Sequence, residues 1–311
     1  MDNHNKKVLV TGAHGFVGHA VVALLKKRGY TKILTPTSKE CDITKEDQVS
    51  AYFDKNSPQI VLHIAGKVGG IAANKANPGE FFYKNLMMGT LIMEYAKRHN
   101  CEKTVVLAAG CGYPKFLEVP YTEEDFWMGM PDENSIGYSM AKKMLVIQSW
   151  TYREEYGFDS TVLLPANLYG PHDNFDLESS HVVPALLRKF IEAKDSGATE
   201  VEVWGDGSAS REFLYVDDTA RAIVDASEKD VGSGPFNLGT GTETTIKELI
   251  TTISEETGFD GDVIWDTSRP NGQPRRFYNM SKFQEAFGYV PSTSLKDGLK
   301  KTIEWYRNND K

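Results

Sequence analysis

Three observations predict an α/β chain organised around a doubly wound parallel sheet. Strand-like and helix-like patterns alternate from the N-terminus to about residue 165. The strand segments are near-continuous runs of β-branched and apolar residues, the composition of strands covered on both faces. A turn carrying three glycines follows the first strand and opens the first helix.

The elements follow in order. Val8-Leu9-Val10-Thr11 is the first strand. Residues 16–28 read as a helix with Val17, Val21, Val22, Leu24 and Leu25 at its apolar positions; Lys26, Lys27 and Arg28 fill the last turn and Gly29 stops it. Ile33-Leu34 is a weaker second strand, residues 45–53 a helix, and residues 59–65 a third strand. A long helix over 79–99 leads to the fourth strand, 104–109. A helix over 135–155 leads to the fifth, 161–164. The handedness of parallel crossovers makes this a Rossmann-type doubly wound sheet. Beyond Pro165 the alternation fades. Short strands at 201–204 and 213–216, loop signals at 232–235 and 237–241, and helices near 217–227, 245–256 and 295–307 predict a smaller α+β substrate domain. The expected division is interleaved: 1–170 with 211–240, and 171–210 with 241–311.

Composition bounds what such a chain does. Its 311 residues correspond to about two domains, and they bury a core without disulfides. A hydrophobic fraction of 40% and a charged fraction of 25% exclude a collagen-like, coiled-coil or largely disordered chain. The net charge of −8 argues against a nucleic-acid partner. Cys41, Cys101 and Cys111 read as reduced thiols of a cytoplasmic protein. The start has no signal-peptide pattern, and no apolar run approaches the ~18 residues of a membrane span.

The glycine turn is Gly12-Ala13-His14-Gly15-Phe16-Val17-Gly18. Gly12 permits the tight turn, Gly15 lets backbone approach a pyrophosphate, and Gly18 lets helix and strand pack closely. Helix-terminal N–H groups then face the anion. The segment after the second strand, Thr35-Pro36-Thr37-Ser38-Lys39-Glu40, carries no immediate carboxylate for a ribose 2′-hydroxyl. Ser38 and Lys39 suit a 2′-phosphate, which favours NADP over NAD; a merely solvated Lys39 is the competing reading. Asp42 and Ile43 then fall beside the adenine. Tyr138 and Lys142 stand four apart, on one face of a helix. An ammonium near the phenol is expected to lower its pKa and to make the pair a proton donor and acceptor beside a nicotinamide.

Glycine turn and Tyr–Lys pair together resemble the extended short-chain dehydrogenase/reductase superfamily. That resemblance implies a Ser or Thr at the end of the fourth strand, where this chain has Ala109 within Leu107-Ala108-Ala109-Gly110-Cys111. Losing such a donor costs ~10²–10³ in rate. A nearby hydroxyl or water substitutes, or activity is reduced, or the residue was replaced to trap a complex; the sequence leaves all three open.

Longer segments are similar to the GDP-L-fucose synthases within that superfamily. They are Lys67-Val68-Gly69-Gly70-Ile71, Cys111-Gly112-Tyr113-Pro114-Lys115, and the run from Pro165-Ala166-Asn167-Leu168 through Pro171-His172-Asp173-Asn174-Phe175. His181 through Phe190, Val203-Trp204-Gly205 and Arg211-Glu212-Phe213 continue the likeness. The resemblance implies acid–base roles for Cys111 and His181 in epimerisation at C3 and C5 of a GDP-4-keto sugar, followed by NADPH-dependent reduction at C4. It implies cofactor contacts at Ala65, Leu107, Ala108, Ala109, Pro165, Asn167, Leu168 and His181, and substrate contacts at Arg188, Trp204, Arg211 and Asn271. The competing structural readings are a small buried hydrophobe for Cys111, a helix-terminal polar residue for His181 and domain-core packing for Trp204. Asn271 stands where the family often has Asp, which keeps related GDP-colitose, GDP-heptose and reductase-only activities in view, beside a low-activity NADP-binding regulatory protein. Analogy with the superfamily adds a homodimer through the two long helices.

Overall fold

The computed structural model describes residues 4–177, 179–268 and 272–309. Five strands appear where the apolar runs place them: β1 (Lys7–Thr11), β2 (Lys32–Leu34), β3 (Ile60–His63), β4 (Lys103–Leu107) and β5 (Ser160–Pro165). Between them run α1 (Phe16–Lys27), α2 (Glu46–Asn56), α3 (Ile71–Ala76), α4 (Pro78–Arg98) and α5 (Ile136–Tyr156). Then come β6 (Asn167–Tyr169), α6 (Val182–Ser196), β7 (Glu200–Trp204), β8 (Ser210–Arg211), β9 (Phe213–Tyr215), α7 (Val216–Glu228) and β10 (Phe236–Leu238). The chain ends with β11 (Thr244–Thr245), α8 (Ile246–Thr257), β12 (Asp262–Asp266), α9 (Ser281–Phe287) and α10 (Leu295–Asn309).

The main sheet has the order β10-β5-β4-β3-β1-β2, and every pairing in it is parallel. Its inner strands are buried along their length, as runs such as Ile60-Val61-Leu62 require. The order reverses between β1 and β3, so the carboxyl ends of those strands form the switch point where doubly wound sheets hold ligands. The loop signal at 237–241 needs correction: residues 236–238 form the sixth strand, paired with β5 through Phe236↔Leu163 and Leu238↔Pro165. The strand is three residues long, too short to show a period, and Gly239 and Gly241 beside it read as punctuation.

The remaining strands form three small pairs, β6 with β9, β7 with β12 and β8 with β11. Helices α4 and α5 lie against each other at a close approach: a Cβ on Gly89 would sit 2.5 Å from the Leu145 methyls. Helix α1 is tied to α7 by Arg28, which reaches Asp225 at 2.7 Å and Glu228 at 2.5 Å. No helix among the described residues is long and apolar enough to cross a membrane.

Candidate active site

The glycine turn sits at the switch point. Gly12 has φ +76°, and a Cβ there would lie 2.9 Å from the Ala65 backbone beyond β3. A Cβ at Gly18 would fall 2.0 Å from Gly12 O, so α1 reaches β1 only with glycine at that position. Gly15 differs. Its nearest obstacle would be Gly12 O at 3.4 Å, and the residue is exposed. Packing does not demand glycine at 15; the bare backbone stays open above the start of α1, where unpaired N–H groups favour an anion. Ala13 and Val17 are buried, so their side chains build the core while their backbone lines the turn; Phe16 is half-buried. His14 bonds Thr35 O at 3.0 Å and fixes the turn to the segment after β2.

In that segment Glu40 folds back along the surface, accepting from Thr37 N at 2.8 Å and Thr37 Oγ1 at 2.9 Å. These bonds hold its carboxyl below the usual range. Ser38 and Lys39 are exposed. Asp42 accepts from Thr44 N and Oγ1 at 3.0 and 2.7 Å, which opens the turn into α2. Ile43 packs half-buried against the core.

Tyr138 and Lys142 lie on the first turns of α5. Lys142 is 2% exposed and reaches Leu107 O at 3.0 Å and Ala65 O at 3.4 Å, so its ammonium joins the ends of β4 and β3. Burial pushes it down to about 8, against the opposing pull of Cys111. The expectation that lysine lowers the phenol is not met. Burial first, and Cys111 second, raise Tyr138. Cys111 follows β4 in a short 3₁₀ turn and hydrogen-bonds Ser139. Burial raises its thiol, while Arg276, Ser139 and Lys142 oppose the rise. Ala108 and Ala109 are buried, and no hydroxyl stands on either.

His181 is the N-cap residue of α6, but its side chain makes no cap bond and stays available. The residue is exposed at the surface, and the packing around its ring lowers the imidazole from its usual range. The preceding loop comes within 3.7 Å of a Cβ built on Gly70, which brings it to the Lys67–Ile71 segment. His172, at φ +68°, stacks on His19 of α1 at 4.1 Å and leans on Trp305 of α10 at 4.7 Å. Beside it, the Asp173 carboxyl is raised by burial from 3.8 to about 7, and its Oδ2 has no hydrogen-bond partner. The folded chain therefore keeps this proton where the unfolded chain releases it, so stability falls as pH rises from about 4 through 7. Asp173→Asn is expected to melt above the native protein at about pH 8 and level with it at about pH 4. A melting difference that does not change with pH would refute this.

Arg188 bonds Glu192 Oε1 at 2.7 Å and Phe175 O at 3.2 Å, two helical turns beyond His181. Arg211 donates to Ser210 O and Gln273 O, both at 2.6 Å. Burial, then the neighbouring Arg276, press it down to about 10. Trp204 ends β7 with 65% of its surface exposed, which removes the core-packing reading. Pro165 ends β5, and Leu168 in β6 packs half-buried against the core. Asn167 donates through Nδ2 to Glu212 O at 3.0 Å. Asn271 lies outside the described residues.

The structure adds groups that motif reading passed over. Ser139, fully buried, links Cys111 to Ser135 Oγ at 3.1 Å. Arg276 and Tyr278, from the segment before α9, arrive beside Cys111. Ser139 sits inside the Tyr–Lys spacing and was legible there. Arg276 and Tyr278 are distant in sequence and carry no local pattern.

A family model described as the NAD dependent epimerase/dehydratase family matches residues 8–239. GDP-L-fucose synthase 1 of Arabidopsis thaliana is 40% identical, over 99% of this chain and 95% of its own length. A solved GDP-L-fucose synthetase from Naegleria fowleri bound to NADP is 30% identical with a TM-score of 0.90, covering 99% of this chain and 94% of that one. A GDP-6-OMe-4-keto-L-xylo-heptose reductase from C. jejuni matches with a TM-score of 0.90 at 30% identity, over 98% of both chains.

Proposed function

Because the chain belongs to the NAD dependent epimerase/dehydratase family, we propose that it converts GDP-4-keto-6-deoxy-mannose to GDP-L-fucose by 3,5-epimerisation and NADPH-dependent 4-reduction. One observation carries the reading: the Cys111 thiol shares a site with Tyr138 and Lys142. A ketone reductase uses the phenol and the lysine. A thiol among them adds an acid–base group for protons beside a carbonyl.

The open backbone over Gly15 and the exposed Ser38 and Lys39 fit a dinucleotide with a 2′-phosphate. NADPH, when bound, supplies the hydride for C4. Residues of the chain do the rest. Tyr138 keeps its proton at neutral pH and gives it to the oxygen that becomes an alkoxide. Lys142 holds the ends of β3 and β4 together one helical turn from the phenol. Cys111 rests as a thiol and His181 as a neutral imidazole. The pair thus holds one proton to give and one site to receive, which suits removal of an α-proton on one face and return on the other. Arg188 and Arg211 take the diphosphate, for which guanidinium forks are suited, and Trp204 offers a face to the guanine. Residues 1–170 with 211–240 form the cofactor part, and 171–210 with 241–311 the nucleotide-sugar part.

The reading includes a cytoplasmic homodimer. Phe82 and Tyr83 of α4 and Ile147 and Tyr156 of α5 are exposed apolar groups on the packed helix pair and form its contact. A single-chain mass in light scattering would remove that contact.

The decisive measurement is turnover of GDP-4-keto-6-deoxy-mannose with NADPH in D2O. Deuterium at C3 and C5 with reduction at C4 is expected. Cys111→Ser is expected to lose at least ~10²-fold of the exchange, on the scale of a general acid–base group, and to keep reduction. Native reduction without deuterium would leave a C4-reductase, a reductase being what the C. jejuni relative is named. NADP binding without turnover would leave a regulatory protein.

A further inference from the structure

The end of β4 lacks the hydroxyl that would share the substrate oxygen with Tyr138. Neither Ala108, Ala109 nor Gly110 has one. Gly110, the residue after Ala109, shows what stands beside that position. A Cβ built on it would lie 1.6 Å from Tyr278 Oη and 2.9 Å from Pro165 O. The phenol of Tyr278 thus enters the volume that a side chain at 110 would fill, between the carboxyl ends of β4 and β5.

Its position is fixed from several sides. Tyr278 N donates to Glu212 Oε2 at 2.9 Å, and the flanking backbone pairs with Tyr121 through Tyr121 N to Phe277 O at 2.9 Å and Asn279 N to Tyr121 O at 2.8 Å. The ring packs on Tyr113 at 5.6 Å and on Tyr121 at 6.4 Å. The hydroxyl is only loosely engaged: it donates to Pro165 O at 3.4 Å, long for an O–H donor. The Arg276 guanidinium lies close enough to oppose the rise that burial gives this phenol. Other hydroxyls nearby are committed. Tyr113 Oη bonds Asn237 Oδ1 at 2.6 Å, Thr11 Oγ1 bonds His63 at 2.9 Å, and Ser139 serves Cys111 and Ser135.

We propose that Tyr278 is a second catalytic tyrosine: its hydroxyl replaces the one missing just beyond β4 and donates a hydrogen bond to the substrate's C4 oxygen. Tyr278 keeps its proton throughout; Tyr138 alone transfers one. The inference rests on the reaction proposed above.

The test compares the native enzyme, Tyr278→Phe and the double variant Ala109→Ser/Tyr278→Phe, in NADPH oxidation with GDP-4-keto-6-deoxy-mannose. Tyr278→Phe is expected to lower kcat about 10²-fold, the effect of losing one oxyanion donor. The KM for NADPH and the melting temperature should not change. Restoring a hydroxyl at 109 is expected to recover at least tenfold of the lost kcat, which repair of packing at 278 would not do. Native kcat in Tyr278→Phe, or a loss that the double variant does not recover, overturns the inference and leaves the reaction standing. A native enzyme without turnover overturns the reaction, and this inference with it.

Discussion

Tyr138→Phe is expected to lower kcat about 10²–10⁴-fold, the range for removing a positioned general acid. Melting temperature and NADPH affinity should stay at native values. The ring survives the change, so its edge-on contact with Phe81, 6.5 Å between centroids, is kept. What disappears is a phenol that burial holds in its protonated form. That state is the one a reduction needs, since hydride delivered to C4 leaves an alkoxide seeking a proton. Lys142 stands one helical turn along, its ammonium bonded to Leu107 O and Ala65 O. A Tyr138→Phe enzyme within about threefold of native kcat would end the assignment, far short of the loss of a general acid.

The second large effect is on stability. Glu212 is 1% exposed, and its carboxylate accepts from Thr240 N at 2.5 Å, Gly241 N at 2.6 Å and Tyr278 N at 2.9 Å. Its own carbonyl holds Asn167. One side chain therefore joins β9, the turn after β10 and the segment bearing Arg276 and Tyr278. Glu212→Ala leaves these amides without their acceptor, at about 1–3 kcal/mol for each that stays buried and unpaired. A total of about 3–5 kcal/mol lowers the melting temperature by roughly 10 °C, taking 2–4 °C per kcal/mol for a chain somewhat smaller than this one. Calorimetry reads the shift directly, and a change under about 2 °C would show that water or rearrangement replaces the carboxylate. Glu212→Gln keeps one acceptor oxygen and is expected to fall between the two.

The contrast between Tyr138 and Tyr278 shows what the sequence made legible. Gly12, Gly15, Gly18, Tyr138 and Lys142 stand in fixed spacings, because a turn or a helix face sets the distance between functional groups. Their places in the fold follow from β1 and α5 alone. Apolar runs located five of the six main strands. Phe236–Leu238 escaped because a three-residue strand shows no period and its neighbours are glycines. The direction of the Tyr138 shift also escaped: it is set by burial and by Cys111, which other elements bring to the phenol. Arg276 and Tyr278 reach the site by tertiary folding. The sequence showed the missing hydroxyl at 109, while the group standing near its place lies far along the chain and became visible only as an obstruction at Gly110.

That obstruction gives the protein a history with a direction. As long as position 278 is tyrosine, no side chain at 110 is accessible in a single substitution, because the first carbon already overlaps the phenol. Shrinking position 278 first would forfeit the donor, and Pro165 O would still lie 2.9 Å from a Cβ at 110. A descendant that keeps its activity must therefore acquire a hydroxyl near the end of β4, with 109 the nearest place, before 278 is free to drift. The glycine is held twice over, by the phenol at 1.6 Å and by the Pro165 carbonyl at 2.9 Å, so the tyrosine can be lost before it.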